Sequence, residues 1–65
     1  MTDYRSARMA QAAEFADIAE KFRDLADEWE NRGSHAAAGR CRDRAVKYDA
    51  FADKILAGID ADEGL

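Results

Sequence analysis

Proline is absent from this 65-residue chain, and glycine occurs only four times. With so few residues that kink or end a helix, long uninterrupted helices are allowed. The single cysteine, Cys41, excludes an internal disulfide and gives no sign of an oxidising compartment. No apolar run approaches the roughly 20 residues that span a bilayer. The opening MTDYRSARMAQ lacks the apolar stretch of a signal peptide, so a cytoplasmic protein is expected. Positive charge is in deficit. The formal net charge is −4, which disfavours a general nucleic-acid binder but leaves room for a local basic patch.

Small size has its own consequence. A chain this short removes only about 60% of its unfolded surface from water, so alone it would be marginally stable. With no disulfide to staple it, association is the leading reinforcement.

What is present is helical periodicity. Residues 3 to 31 contain neither glycine nor proline and repeat apolar positions at spacings of three and four through Phe15, Ile18, Phe22, Leu25 and Trp29, with Tyr4 upstream. Thr2 or Asp3 can cap the start, and Asn31, Arg32 and Gly33 form a left-handed stop. Ser34 then serves as the N-cap of a second helix, whose stripe is Ala38, Cys41, Ala45, Tyr48, Ala52, Ile55 and Ile59. The expected layout is helix 3–31, turn 32–34, helix 35–59, fraying near Gly58 to Asp60, and a frayed tail 60–65. Two long helices joined by so short a turn lie antiparallel. The fold class is therefore an all-α two-helix hairpin, expected to dimerise into a four-helix bundle.

In that hairpin, residues whose numbers sum to about 66 or 67 face each other. Trp29 then opposes Ala38, Phe22 opposes Ala45 and Phe15 opposes Ala52, while Ile18 meets Tyr48 and Leu25 meets Cys41. Large faces small along the seam, as close packing requires.

Charge placement supports the same register. Residues 17–31 carry a net charge of −4 and residues 32–47 a net charge of +4, the reverse of what each helix dipole favours alone. Side by side, Asp24, Asp27, Glu28 and Glu30 can meet Arg40, Arg42, Arg44 or Lys47. At the far end, Arg5 and Arg8 approach Asp53, Asp60 and Asp62. Such pairs contribute little individually, but together they penalise slipped registers.

One partner helix does not cover all the apolar surface. The arc of helix 2 from Phe51 through Ile55, Tyr48 and Cys41 to Leu56 spans roughly 140°. On helix 1, Ala12, Ala19 and Ala26 recur every seven residues and open a smooth lane beside the aromatic stripe. Val46 also lacks an evident partner. The expected oligomer or partner surface is therefore Met9, Ala12, Ala19, Ala26, Tyr48, Phe51, Ile55 and Leu56.

Chemistry-bearing groups are sparse. His35 and Cys41 are six apart, on different sides of helix 2, which argues against a metal or Cys/His catalytic site. Cys41 reads as a small core residue and His35 as a solvated cap neighbour. Asp17, Glu20, Asp24, Asp27 and Glu28 form a solvent face without the Glu-x-x-His spacing of bundle metal sites. That face is a possible acidic partner surface. Arg40, Arg44 and Lys47 share one side of helix 2 and form a possible anion-binding patch without an interleaved aromatic platform. Trp29 reads as a core anchor.

Gly33, Ser34, His35, Ala36, Ala37 and Ala38, followed by Ala45, resemble the turn and second helix of a tetratricopeptide repeat. Helix 1 is longer than that repeat's, and one copy cannot stack into a solenoid. With Trp29 near the bend, the hairpin is also similar in outline to the small helical hairpins exported by type VII secretion, although tryptophan and glycine stand four apart here rather than two.

The expectation for function is a small non-catalytic protein–protein interaction module, a regulator, adaptor or inhibitor acting as a helical homodimer. No enzyme activity, cofactor, metal or small-molecule substrate is expected, since two helices offer little from which to build a pocket. The alanine- and arginine-rich style suits an accessory protein of a bacterium or its phage. The alternatives are a nucleic-acid-associated regulator using Arg40, Arg44 and Lys47, and an acidic nucleic-acid mimic that inhibits a host enzyme.

Overall fold

The computed structural model describes the backbone of residues 3–63 and the side chains of residues 3–59. Two helices, α1 (Tyr4–Asn31) and α2 (His35–Glu63), pack against each other as a hairpin that measures 49 × 20 × 10 Å between its outermost Cα positions. The first helix starts where Asp3, in extended conformation, accepts a hydrogen bond from the Arg5 amide (3.1 Å) and another from the Ser6 hydroxyl (3.0 Å). Through the Arg5 amide, Asp3 thus satisfies one of the backbone donors that a helix start leaves open. Thr2, the other candidate cap, lies outside the described residues.

The turn is closed by its backbone. Gly33 takes φ = +85°; its amide donates to the Glu30 carbonyl (3.0 Å) and the Ser34 amide to the Trp29 carbonyl (2.8 Å). These two crossed bonds form a Schellman stop, which needs a left-handed residue at the Gly33 position. The Ser34 carbonyl then accepts from Ala38 (3.0 Å), the first bond of α2. That helix continues to Glu63. This corrects the expected end near Gly58 to Asp60, because one glycine in an alanine-rich stretch costs only about 1 kcal/mol and does not stop a helix.

The interior holds a second correction. Each helix carries two apolar rows at seven-residue spacing: Ala12, Ala19, Ala26 beside Phe15, Phe22, Trp29 on α1, and Ala38, Ala45, Ala52, Ile59 beside Cys41, Tyr48, Ile55 on α2. The alanine rows form the seam. Ala19, Ala26 and Ala38 are fully buried, and Ala12, Ala45, Ala52, Cys41 and Ile59 nearly so. Ala12, Ala19 and Ala26 are therefore not an outer lane for another molecule; they lie inside the hairpin. Methyl groups allow two helix axes to approach at the short end of the roughly 8–10 Å packing range, whereas a row of aromatic rings would hold them apart. Among the described residues, no large side chain is fully buried. Phe22 and Trp29 instead pack against the small cluster Ala26, Ala38 and Cys41. Leu25, expected in the seam against Cys41, is 39% exposed.

Candidate interaction surface

With alanines filling the seam, the larger side chains are displaced to its flanks, and the two flanks differ in chemistry. On one, Phe22 and Tyr48 stack at 5.6 Å between ring centroids with planes 10° apart. Tyr48 also stacks on Phe15 (6.0 Å, 26°) and meets Phe51 edge-on (6.2 Å), and Phe15 lies 5.7 Å from Phe51. Four rings from two helices thus form a continuous aromatic cluster. At about 100° per residue, Ile18, Leu25, Trp29 and Ile55 fall on the same side. Phe15, Ile18, Phe22, Trp29, Tyr48 and Ile55 are half-buried, and Phe51 is 50% exposed. Among the described residues, none covers this apolar face.

The opposite flank is ionic. Arg42 donates to Glu30 (3.2 Å) and approaches Asp27 at 3.9 Å. Arg23 pairs with Asp49. His35 Nδ1 stands 2.7 Å from Glu30 Oε1, and because a carboxylate only accepts, that nitrogen carries the hydrogen. Glu30, held by His35 first and Arg42 second, has its pKa drawn below the usual 4.5. Cross-turn pairing is therefore real, but it is made by Asp27, Glu30 and Arg42 with His35, and by Arg23 with Asp49. Among the described residues, Asp24, Glu28, Arg40, Arg44 and Lys47 make no ion pair. Arg8 turns back along its own helix to Gln11 (2.9 Å) and over the Tyr4 ring (5.8 Å). Asp60 and Asp62 lie outside the residues whose side chains are described.

The predicted partner surface is thus brought together only in part. Tyr48, Phe51 and Ile55 share the aromatic face. The alanines are inside the seam. Met9 is 48% exposed but steps round to the ionic flank, as does Val46 at 68%, while Leu56, 43% exposed, sits at the seam's other edge. Phe15, Ile18, Phe22, Leu25 and Trp29, expected within the seam from the spacing of the apolar residues, belong instead to this face. The signal that finds them is the matching alanine heptad on α2. Two alanine rows can close on each other more tightly than either can close on rings.

Arg40, Arg44 and Lys47 do converge. With Asp43, Tyr48 and Phe51 they line one open groove of about 340 Å³, so two aromatic side chains adjoin the basic patch after all. Asp17, Glu20, Asp24 and Glu28 are exposed along α1. Cys41 is buried and His35 exposed, which separates the only two soft ligands. Among the described residues, no group of three His, Cys, Asp or Glu side chains is placed to hold a metal, and no helix is long and apolar enough to cross a membrane. No protein-family model, curated protein or solved structure matches the chain.

Proposed function

We propose that the chain is a non-catalytic protein-interaction module, a small regulator, adaptor or inhibitor, that works as a homodimer with the aromatic faces of two hairpins meeting in a four-helix bundle. The observation that carries this reading is the segregation of the two flanks. Phe15, Ile18, Phe22, Leu25, Trp29, Tyr48, Phe51 and Ile55 fall on one side, and the residues of that side whose exposure is largest, Phe51 and Leu25, keep 50% and 39% of their surface in solvent. Burial of this apolar surface is the term a marginal 65-residue fold lacks.

Molar mass by light scattering over about a hundredfold range of concentration tests the reading. A dimer that Phe51→Glu converts to a helical monomer supports it. A wild-type monomer at every concentration overturns it.

The second reading, nucleic-acid association through Arg40, Arg44 and Lys47, is favoured by one observation. These cations have no acidic partner among the described residues and lie beside Tyr48 and Phe51. The net charge of −4 opposes it. Binding to single-stranded or duplex DNA that weakens steeply with salt, and disappears in the triple alanine variant, would support it. The acidic-mimic reading rests on Asp17, Glu20, Asp24, Asp27 and Glu28, of which Asp27 is already engaged by Arg42.

A further inference from the structure

The aromatic face has two charged edges of opposite character. Along α1, Glu14, Ile18, Lys21, Leu25 and Glu28 follow one another at spacings of four and three; along α2 the same spacings give Arg40, Arg44, Lys47, Phe51 and Lys54. The charged members of both rows are exposed. Edges of this kind flank the contact when a second helix packs on the apolar stripe. One is mainly acidic, with Asp17 and Asp24 beside it, and the other is mainly basic, its four cations accompanied by Asp43 alone.

Resting on the homodimer reading above, we propose that the partner on this face is a second copy oriented by a two-fold axis parallel to the helices, so that α1 of each copy packs against α2 of the other and both turns lie at the same end. The heights follow from the ring pairs. Phe15 beside Phe51 and Phe22 beside Tyr48 fix which levels of α1 and α2 coincide, and a parallel axis preserves those levels between copies. Glu14 then stands beside the partner's Lys54 and Glu28 beside the partner's Arg40. Between them Lys21 meets the partner's Lys47, with Asp17 and Asp24 one turn away on either side to offset it. All neighbouring helices run antiparallel.

The alternative two-fold axis, perpendicular to the helices, sets the basic edge of α2 along the same edge of the other copy. Its charge gain is confined to Glu14 near the partner's Lys21. Complementary edges select partner and orientation in helical assemblies more than they add affinity, so the parallel arrangement is the one this sequence specifies.

A pair of measurements decides it. In a Cys41→Ala background, Asn31→Cys carries a spin label at the exposed end of α1, and pulsed dipolar spectroscopy reads the distance between copies. The parallel axis puts the labels within about 30 Å, since they sit on helices of one bundle end separated by helix-packing distances. The perpendicular axis puts them about 40 Å apart, from 1.5 Å per residue along α1.

Charge reversal gives the independent check. Arg40→Glu with Lys54→Glu weakens the dimer about tenfold in the parallel arrangement, and adding Glu14→Lys with Glu28→Lys to the same chain restores it. The perpendicular arrangement is strengthened by the first pair. A dimer with the long distance, or one tightened by Arg40→Glu and Lys54→Glu, overturns the orientation while leaving the homodimer standing. A dimer indifferent to all four substitutions also overturns it and frees the cations for the nucleic-acid reading. A wild-type monomer overturns both proposals.

Discussion

Tyr48 of α2 lies nearly flat on Phe22 of α1, 5.6 Å between centroids and 10° between planes, beside a seam in which Ala19 has no solvent exposure at all. The pair shows how this hairpin is built: small residues where the helices meet, large ones clasped over the edge. The stacked pair is therefore expected to hold the helices in register from outside the seam. A double-mutant cycle of Phe22→Ala and Tyr48→Ala, read by urea unfolding at one fixed chain concentration, should give a coupling of about 0.5–1.5 kcal/mol. A coupling near zero would mean that the rings are merely adjacent.

Overpacking the seam should cost more than trimming its flank. Ala19→Leu inserts a branched side chain where the exposure is 0%, and should destabilise by about 1–3 kcal/mol or more as the helices are forced apart. Ala13→Leu, at an exposed position of the same helix, should stay within about 0.5 kcal/mol. Equal effects at the two sites would contradict the alanine seam.

Glycine substitutions should act with opposite signs at two positions where an added Cβ meets nothing within 4 Å. Gly33 has φ = +85°, so Gly33→Ala should destabilise by about 1–2 kcal/mol through backbone strain alone. Gly39 lies inside α2, and Gly39→Ala should stabilise by about 0.5–1 kcal/mol. Thermal unfolding of the two variants against the parent checks both.

Glu30 supplies an acid-dependent contribution. Its pKa in the folded chain lies below the usual 4.5, chiefly because His35 and then Arg42 bond to the carboxylate. A lowered carboxyl pKa means that the stabilisation is complete above the unfolded value and fades as pH falls through the folded one. Glu30→Gln should therefore lower the melting temperature at about pH 7, with an effect that shrinks progressively as the pH falls below the usual carboxyl range and through the folded pKa. A difference that persists unchanged into acid would assign the loss to packing instead of charge.

Much of the architecture was legible in the chain. The absence of proline and the placing of Asp3, Gly33 and Ser34 mark where helices begin and stop, since caps and left-handed turns are local chemistry. The excess of acid before the turn and of base after it announces an antiparallel hairpin. Which charges pair was less legible. Arg42 reaches Asp27 and Glu30 because α2 turns it toward the ionic flank, while Arg40, Arg44 and Lys47, equally basic, are turned the other way along the aromatic face.

The sequence by itself determined two helices, the turn between them, their antiparallel sense and the apolar periodicity of each, because these follow from hydrogen-bond periodicity and residue-by-residue backbone preference. Only the tertiary structure decided that Ala12, Ala19 and Ala26 go inside and that Phe15, Phe22 and Trp29 stay at the edge. On a single helix the two rows are neighbours about 60° or less apart, and periodicity cannot rank them. The ranking is a property of the pair. Two alanine rows on facing helices let the backbones close together, and that close approach pushes the rings outward onto the face where a partner can cover them.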